Sequence, residues 1–129
     1  MTRRERGAAA VEMALVLPVL ILLVGGVIDF GRAFMTQTVL TNAAREGTRT
    51  AIVVDDTTKI RDRAKSASDG IPNKASITVS VTYKNGSKCG GPTPADDVTV
   101  VATVPFTWTM LSIIPGLPAS LTGSSTQGC

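Results

Sequence analysis

Few residues in this chain are able to do chemistry. It contains no histidine, so the commonest general base and metal ligand is missing. The adjacent carboxylates Asp55-Asp56 and Asp96-Asp97 carry side chains that diverge, and neither pair follows a calcium-loop spacing. A helix cap and a turn account for them. Gly90-Gly91 is followed by Pro92 and not by the Lys-Ser/Thr and helix that a phosphate loop needs. Cys89 and Cys129, without histidine, do not make a zinc site. In an oxidising compartment they are expected to form a disulfide, and closing a loop of about 40 residues would stabilise the fold by on the order of 4 kcal/mol. Two free thiols is the alternative for a cytoplasmic location. No nucleophile–base pair is present, so no catalytic residue, cofactor or metal is expected. The protein is not read as an enzyme.

The one acid in an unusual place is Glu12. It follows Arg3, Arg4, Arg6, Gly7 and a run of alanines, and it precedes the apolar block from Met13 to Ile28. As a helix, Gly7 to Ile28 covers about 33 Å, enough to cross a hydrocarbon core of about 30 Å. The block has no polar face, which excludes an amphipathic surface helix. A buried core helix would need more chain around it than the remainder supplies. A removable signal peptide shares the basic start, but GGVIDFGRAFMTQ offers no small-x-small cleavage site and the helical pattern runs on. The arginines place the N-terminus inside and residues 30–129 outside the cytoplasm. Pro18 is tolerable in such a helix. A charge within a span normally has a partner; reaching water beside Arg4 or Arg6 is the simplest account of Glu12 by itself.

The formal charge is +3 with 18% charged and 4% aromatic residues. The basic residues are scattered, without the clustering and stacking aromatics of a nucleic-acid surface. Neither nucleic acid nor a small-molecule substrate is expected as a partner.

Gly7-Ala8-Ala9-Ala10-Val11-Glu12, a glycine with a glutamate five positions later before a long apolar helix, resembles the prepilin peptidase motif of type IV pilins. With Leu17-Pro18, Ile28-Asp29-Phe30-Gly31-Arg32 and Asn42-Ala43-Ala44-Arg45-Glu46-Gly47-Thr48-Arg49, the chain resembles the TadE-like family, pseudopilins or minor pilins of the tight-adherence (Tad, type IVb) pilus. The resemblance implies cleavage between Gly7 and Ala8 by a prepilin peptidase. It also implies membrane anchorage, and other pilins or pseudopilins and the Tad secretion platform as partners in surface adhesion. One departure is Met13, where Tad pilins often have an aromatic residue. Cleavage would expose an α-amino group at Ala8 able to neutralise Glu12 on the same or a neighbouring helix, and leaving either buried charge alone costs several kcal/mol. Glu12 would thus set the register between packed helices, and the small Ala8, Ala9, Ala10, Gly25 and Gly26 permit close contact.

Past the span, Asp29 and Arg32 are spaced to pair at the outer interface. Phe30, Ala33, Leu40, Ala44, Gly47 and Ala51 fall on one face of an amphipathic extension, whose small residues suggest a sheet lying close. Arg45, Glu46, Gly47 and Arg49 form either an interaction face or a solvated one, with a local Glu46–Arg49 pair. Asp55 or Asp56 caps a short helix over 57–67 with Ile60, Ala64 and Ala67 inward. The period then switches to two: Ile77 to Tyr83 and, after the Asn85-Gly86 turn, Val98 to Trp108 read as strands. Pro105 suggests an unpaired edge there. A weaker third strand runs over about 119–126. The apolar loop Met110 to Pro118 is expected to be buried in the core, with a leaflet or another subunit as alternatives.

The expected fold is α+β and pilin-like: a long N-terminal helix on an antiparallel sheet of about three strands, with one short extra helix. The parts are a basic cytoplasmic leader (1–7), the TadE-like helix (8–52, membrane-spanning over about 8–28) and an extracytoplasmic α+β domain (53–129). The protein is placed in the cytoplasmic (inner) membrane by a single pass. A membrane-tethered binding module outside any filament is the competing function.

Overall fold

The computed structural model describes the backbone of residues 3–129 and side chains from residue 7 onward. The leader arginines Arg3, Arg4 and Arg6, and any pairing of theirs with Glu12, therefore lie outside the described side chains. Helix α1 runs from Arg3 to Val53 as one element of 51 residues with Pro18 inside it. Alanine and leucine favour the helix throughout, and no glycine–proline break interrupts it before the Val54-Asp55-Asp56 segment. Asp56 then caps α2, Thr57–Ser66, by accepting a hydrogen bond from the Thr58 N–H at 2.9 Å. That bond is the first cause holding the Asp56 carboxyl below its ordinary pKa, against opposition from burial. Arg63 and Lys65 in the last turn suit the negative helix end.

Three strands follow: β1 Thr78–Lys84, β2 Asp97–Pro105 and β3 Ser120–Gly128. They form one antiparallel sheet in the order β1-β2-β3, with Val79 opposite Ala102 and Val100 opposite Ser125. The architecture is thus α+β: a long apolar N-terminal helix, one extra short helix and a small antiparallel sheet. Asn85 reaches the next turn with φ 59°, a left-handed conformation that asparagine tolerates. Its side-chain amide donates to Asp96 at 2.6 Å.

The described chain divides into two compact units. The larger contains Ala33–Thr107 and Pro118–Cys129. Its core is built from Leu40, Ala43, Ala44 and Ala51 of α1, Ile60 and Ala64 of α2, and Val98, Val100, Ala102 and Val104 of β2, all at or near complete burial. Each larger apolar side chain buried there contributes roughly 1.5–3 kcal/mol. On the other face of the sheet threonines pair across strands, Thr99 with Thr126 at 2.9 Å and Thr103 with Thr122 at 3.3 Å. Two glycines set the helix–sheet spacing. A Cβ on Gly47 would come 2.9 Å from Val100 Cγ1 and 3.3 Å from Ala64 Cβ, and one on Gly123 would collide with the backbone of Leu40 and Thr41.

The second unit joins α1 up to Arg32 with Trp108–Leu117. That segment carries a short 3-10 turn, Leu111–Ile113, and reverses at Gly116 with φ 92°.

Several details differ from the expectations. The strand read as reaching Trp108 stops at Pro105, the last paired residue of β2, opposite Ser120. β2 is the central strand, so Pro105 marks the end of a ladder and not an edge; having no N–H, it suits a terminus. Phe30 is 60% exposed; the covered stripe of α1 passes instead through Asp29, Ala33, Thr36 and Leu40. Ala67, expected inward, is half-buried at the α2 cap. The loop expected in the core is mostly outside it: Leu111 is buried, whereas Met110, Ile113 and Ile114 are exposed.

Candidate functional site

The functional candidates concentrate on α1. Gly7, Ala8 and Glu12 all lie on exposed helix, and among the described residues no tertiary neighbour comes within 4 Å of a Cβ placed on Gly7. From Val11 to Val24 every large apolar side chain is at least 45% exposed. The most apolar window of the helix has a mean hydropathy of 2.6 and is 6% buried. A helix of that length and composition is able to cross a membrane, and so little cover is the opposite of what the core helix of a water-soluble fold shows. Exposed apolar surface of this extent is of the kind that marks contact with a membrane or another protein.

Cover begins at Gly25, Gly26 and Asp29, and it comes from Trp108–Leu117. A Cβ on Gly25 would overlap the Met110 side chain, and one on Gly26 would sit 3.7 Å from Leu111 Cδ2. Asp29 is 1% exposed. One of its oxygens accepts three backbone N–H bonds, from Thr109 at 2.9 Å, Met110 at 2.7 Å and Leu111 at 3.1 Å. Its other oxygen lies 3.4 Å from Arg32 Nη1, which also donates to the Thr109 hydroxyl at 2.9 Å. Phe30 and Trp108 stack edge to face with centroids 5.8 Å apart. Burial alone would raise the Asp29 pKa; the three N–H donors and the Arg32 charge outweigh it and hold the carboxyl below its ordinary value. Charge-assisted bonds of this kind are about twice as strong as neutral ones.

The spacing of Asp29 and Arg32 was readable in the sequence, but the main partners of Asp29 were not. They are backbone amides about eighty positions away, which no residue type announces. The available signal was indirect: an acid at the end of an apolar run and a loop too apolar to stand alone.

Further along α1, Arg45 and Arg49 are exposed and Gly47 is buried against the sheet. Glu46 does not form the local pair expected with Arg49. Its carboxylate takes both Nε of Arg63 at 2.9 Å and Nη2 at 2.8 Å, because α2 folds back beside this turn of α1 and presents a forked donor. Thr48, also unforeseen, is buried and shares a 3.2 Å hydrogen bond with Ser125 of β3. Cys89 and Cys129 are bonded, with Cα atoms 5.1 Å apart. The bridge fastens the end of β3 to the loop before β2. Tyr83 has a buried hydroxyl without a hydrogen-bond partner, and desolvation, then the Asp55 charge, pushes its pKa up. Among the described residues no group of His, Cys, Asp and Glu side chains is placed to hold a metal ion.

The helix that holds these candidates is also where a known family is met: residues 7–49 match the family model described as TadE-like protein. Over that stretch the chain is similar to TadE-like proteins. The match takes in Gly7, Glu12, Asp29 and the Arg45–Arg49 turn and ends before α2 and the three strands. No curated protein and no solved structure is similar enough to the chain to count as a match.

Proposed function

We propose that this protein is a membrane-anchored pseudopilin or minor pilin that takes part in assembling a Tad-type (type IVb) pilus for surface adhesion. The observation that carries the reading is the TadE-like match lying on a helix whose apolar surface the chain leaves uncovered. The span covers about residues 8–28, the N-terminus is inside, and the sheet domain lies outside the cytoplasmic membrane. There the Cys89–Cys129 bridge is chemically at home. Residues 1–7 act as a basic leader that a prepilin peptidase removes after Gly7.

In the mature form the new ammonium at Ala8 stands four residues, about one helical turn, before Glu12. In a low-dielectric bundle the two charges are worth pairing because either one left alone costs several kcal/mol. Pairing between neighbouring subunits fixes how far one helix slides along the next, and Ala8, Ala9 and Ala10 let the backbones approach. Arg45 and Arg49, exposed on the same helix, supply a charged face for neighbouring subunits or the secretion platform.

The mature N-terminus, read by intact and peptide mass spectrometry of membrane-extracted protein, tests the processing step. A chain beginning at Ala8 is expected; a chain retaining Arg3, Arg4 and Arg6 in cells that carry an active prepilin peptidase would contradict it.

A further inference from the structure

Trp108–Leu117 is built unlike a solvent loop. Its sequence, WTMLSIIPGL, contains no charged residue, and Ile113 is 72% exposed while Met110 and Ile114 are close to half exposed. The loop runs along α1 toward the apolar block. Trp108 meets Phe30, the amides of 109–111 converge on Asp29, and Met110 reaches Gly25. Gly25 is three residues inside the apolar run that ends at Ile28, which is about 4.5 Å of helix rise. The loop's apolar tip is therefore held alongside the last turn of the span.

We propose that residues 108–117 are a membrane-interface loop, seated at the boundary between headgroups and acyl chains of the leaflet that the Ile28 end of the helix reaches. The assignment rests on reading about residues 8–28 as a span. Irregular backbone is expensive near hydrocarbon because its N–H groups lack water, and four amides of this loop are paired within the chain. Asp29 takes three of its amides, and the Ile114 N–H donates to the Leu111 carbonyl at 2.9 Å. Trp108, half-buried against Phe30, is the residue type that favours the interfacial belt. Ile113 and Ile114 would face lipid. The loop gives the anchor a second, shallow foothold that fixes the depth of the span.

The chain has a single tryptophan, which makes the test direct. The full-length protein is reconstituted in phosphatidylcholine nanodiscs whose lipids carry bromine near either the glycerol end or the methyl end of the chains. Three forms are compared: the native chain, Trp108→Phe with Ile113→Trp, and Trp108→Phe with Leu20→Trp. Emission from position 113 is expected to be blue-shifted, to resist aqueous iodide and to lose more intensity to the shallow bromines. Position 20 should show the reverse depth order, and native Trp108 should follow the shallow pattern. Adding Asp29→Ala should open position 113 to iodide. Iodide-accessible, bromine-insensitive emission from position 113 beside normal lipid quenching at position 20 would overturn the proposal while leaving the span intact. Position 113 screened from both quenchers would mean that a second copy covers the loop, and the lipid assignment fails. Loss of lipid quenching at position 20 would sink the spanning reading and the loop with it.

Discussion

At the scale of single residues, Asp29 is buried and holds a loop by its carboxylate. A buried carboxylate with three amide donors and one arginine beside it is held in its charged form, and the pH dependence follows from the sign of that shift. Its pKa is depressed, so its contribution is fully present above the ordinary value of 3.8 and is lost as pH falls through the lower, folded-state value. Hydrogen exchange at the amides of Thr109, Met110 and Leu111 should stay slow at neutral pH. Corrected for intrinsic rates, it should accelerate only in strongly acidic solution. Asp29→Ala should abolish that protection at every pH, whereas Asp29→Asn, which retains an acceptor oxygen but no charge, should retain part of it. Protection unchanged in the alanine variant would show that the loop is held by Met110 and Leu111 packing on Gly25 and Gly26 and not by the carboxylate.

At the scale of elements, the helix–sheet contact depends on the absence of two side chains. Gly123 lies so close to the backbone at Leu40 and Thr41 that Gly123→Ala must move a strand or a helix. Overpacking of this kind costs about 1–3 kcal/mol. Gly47→Ala presses on the Val100 and Ala64 side chains, which yield more readily, so its cost should be the smaller. Denaturant unfolding of the full chain in detergent, followed by far-UV circular dichroism, ranks the two, and a reversed order would contradict the close approach at Gly123. The Glu46–Arg63 pair joins groups 32% and 61% exposed, so Arg63→Ala should change stability by no more than about 1 kcal/mol. Elements of this size were largely legible beforehand. The apolar run, the helix cap at Asp55 or Asp56 (Asp56 in the folded chain) and the two-residue period of Val98, Val100, Ala102 and Val104 each carry a local signal that the folded chain keeps. The errors came where a local pattern met a long-range partner: Phe30 fits the helical stripe by spacing, yet Asp29 takes the covered position because distant amides reach it.

At the scale of the whole molecule, two features stand out: the apolar side chains of α1 from Val11 to Val24 stay exposed, and one disulfide ties the loop before β2 to the end of β3. The disulfide closes a sequence separation of 40 residues. Replacing Cys89 and Cys129 together by serine should lower the stability of the sheet domain by about 2–4 kcal/mol. The loss should appear as an earlier unfolding midpoint that reducing agent does not shift further. The role proposed for Glu12 rests on its spacing from Gly7 and on the TadE-like match around it. That role is open to one direct measurement: surface pili counted by electron microscopy in cells producing the Glu12→Ala protein, with the variant's level in the membrane fraction quantified alongside. The account predicts normal membrane insertion with piliation lost or sharply reduced. Wild-type piliation at equal membrane levels would contradict it.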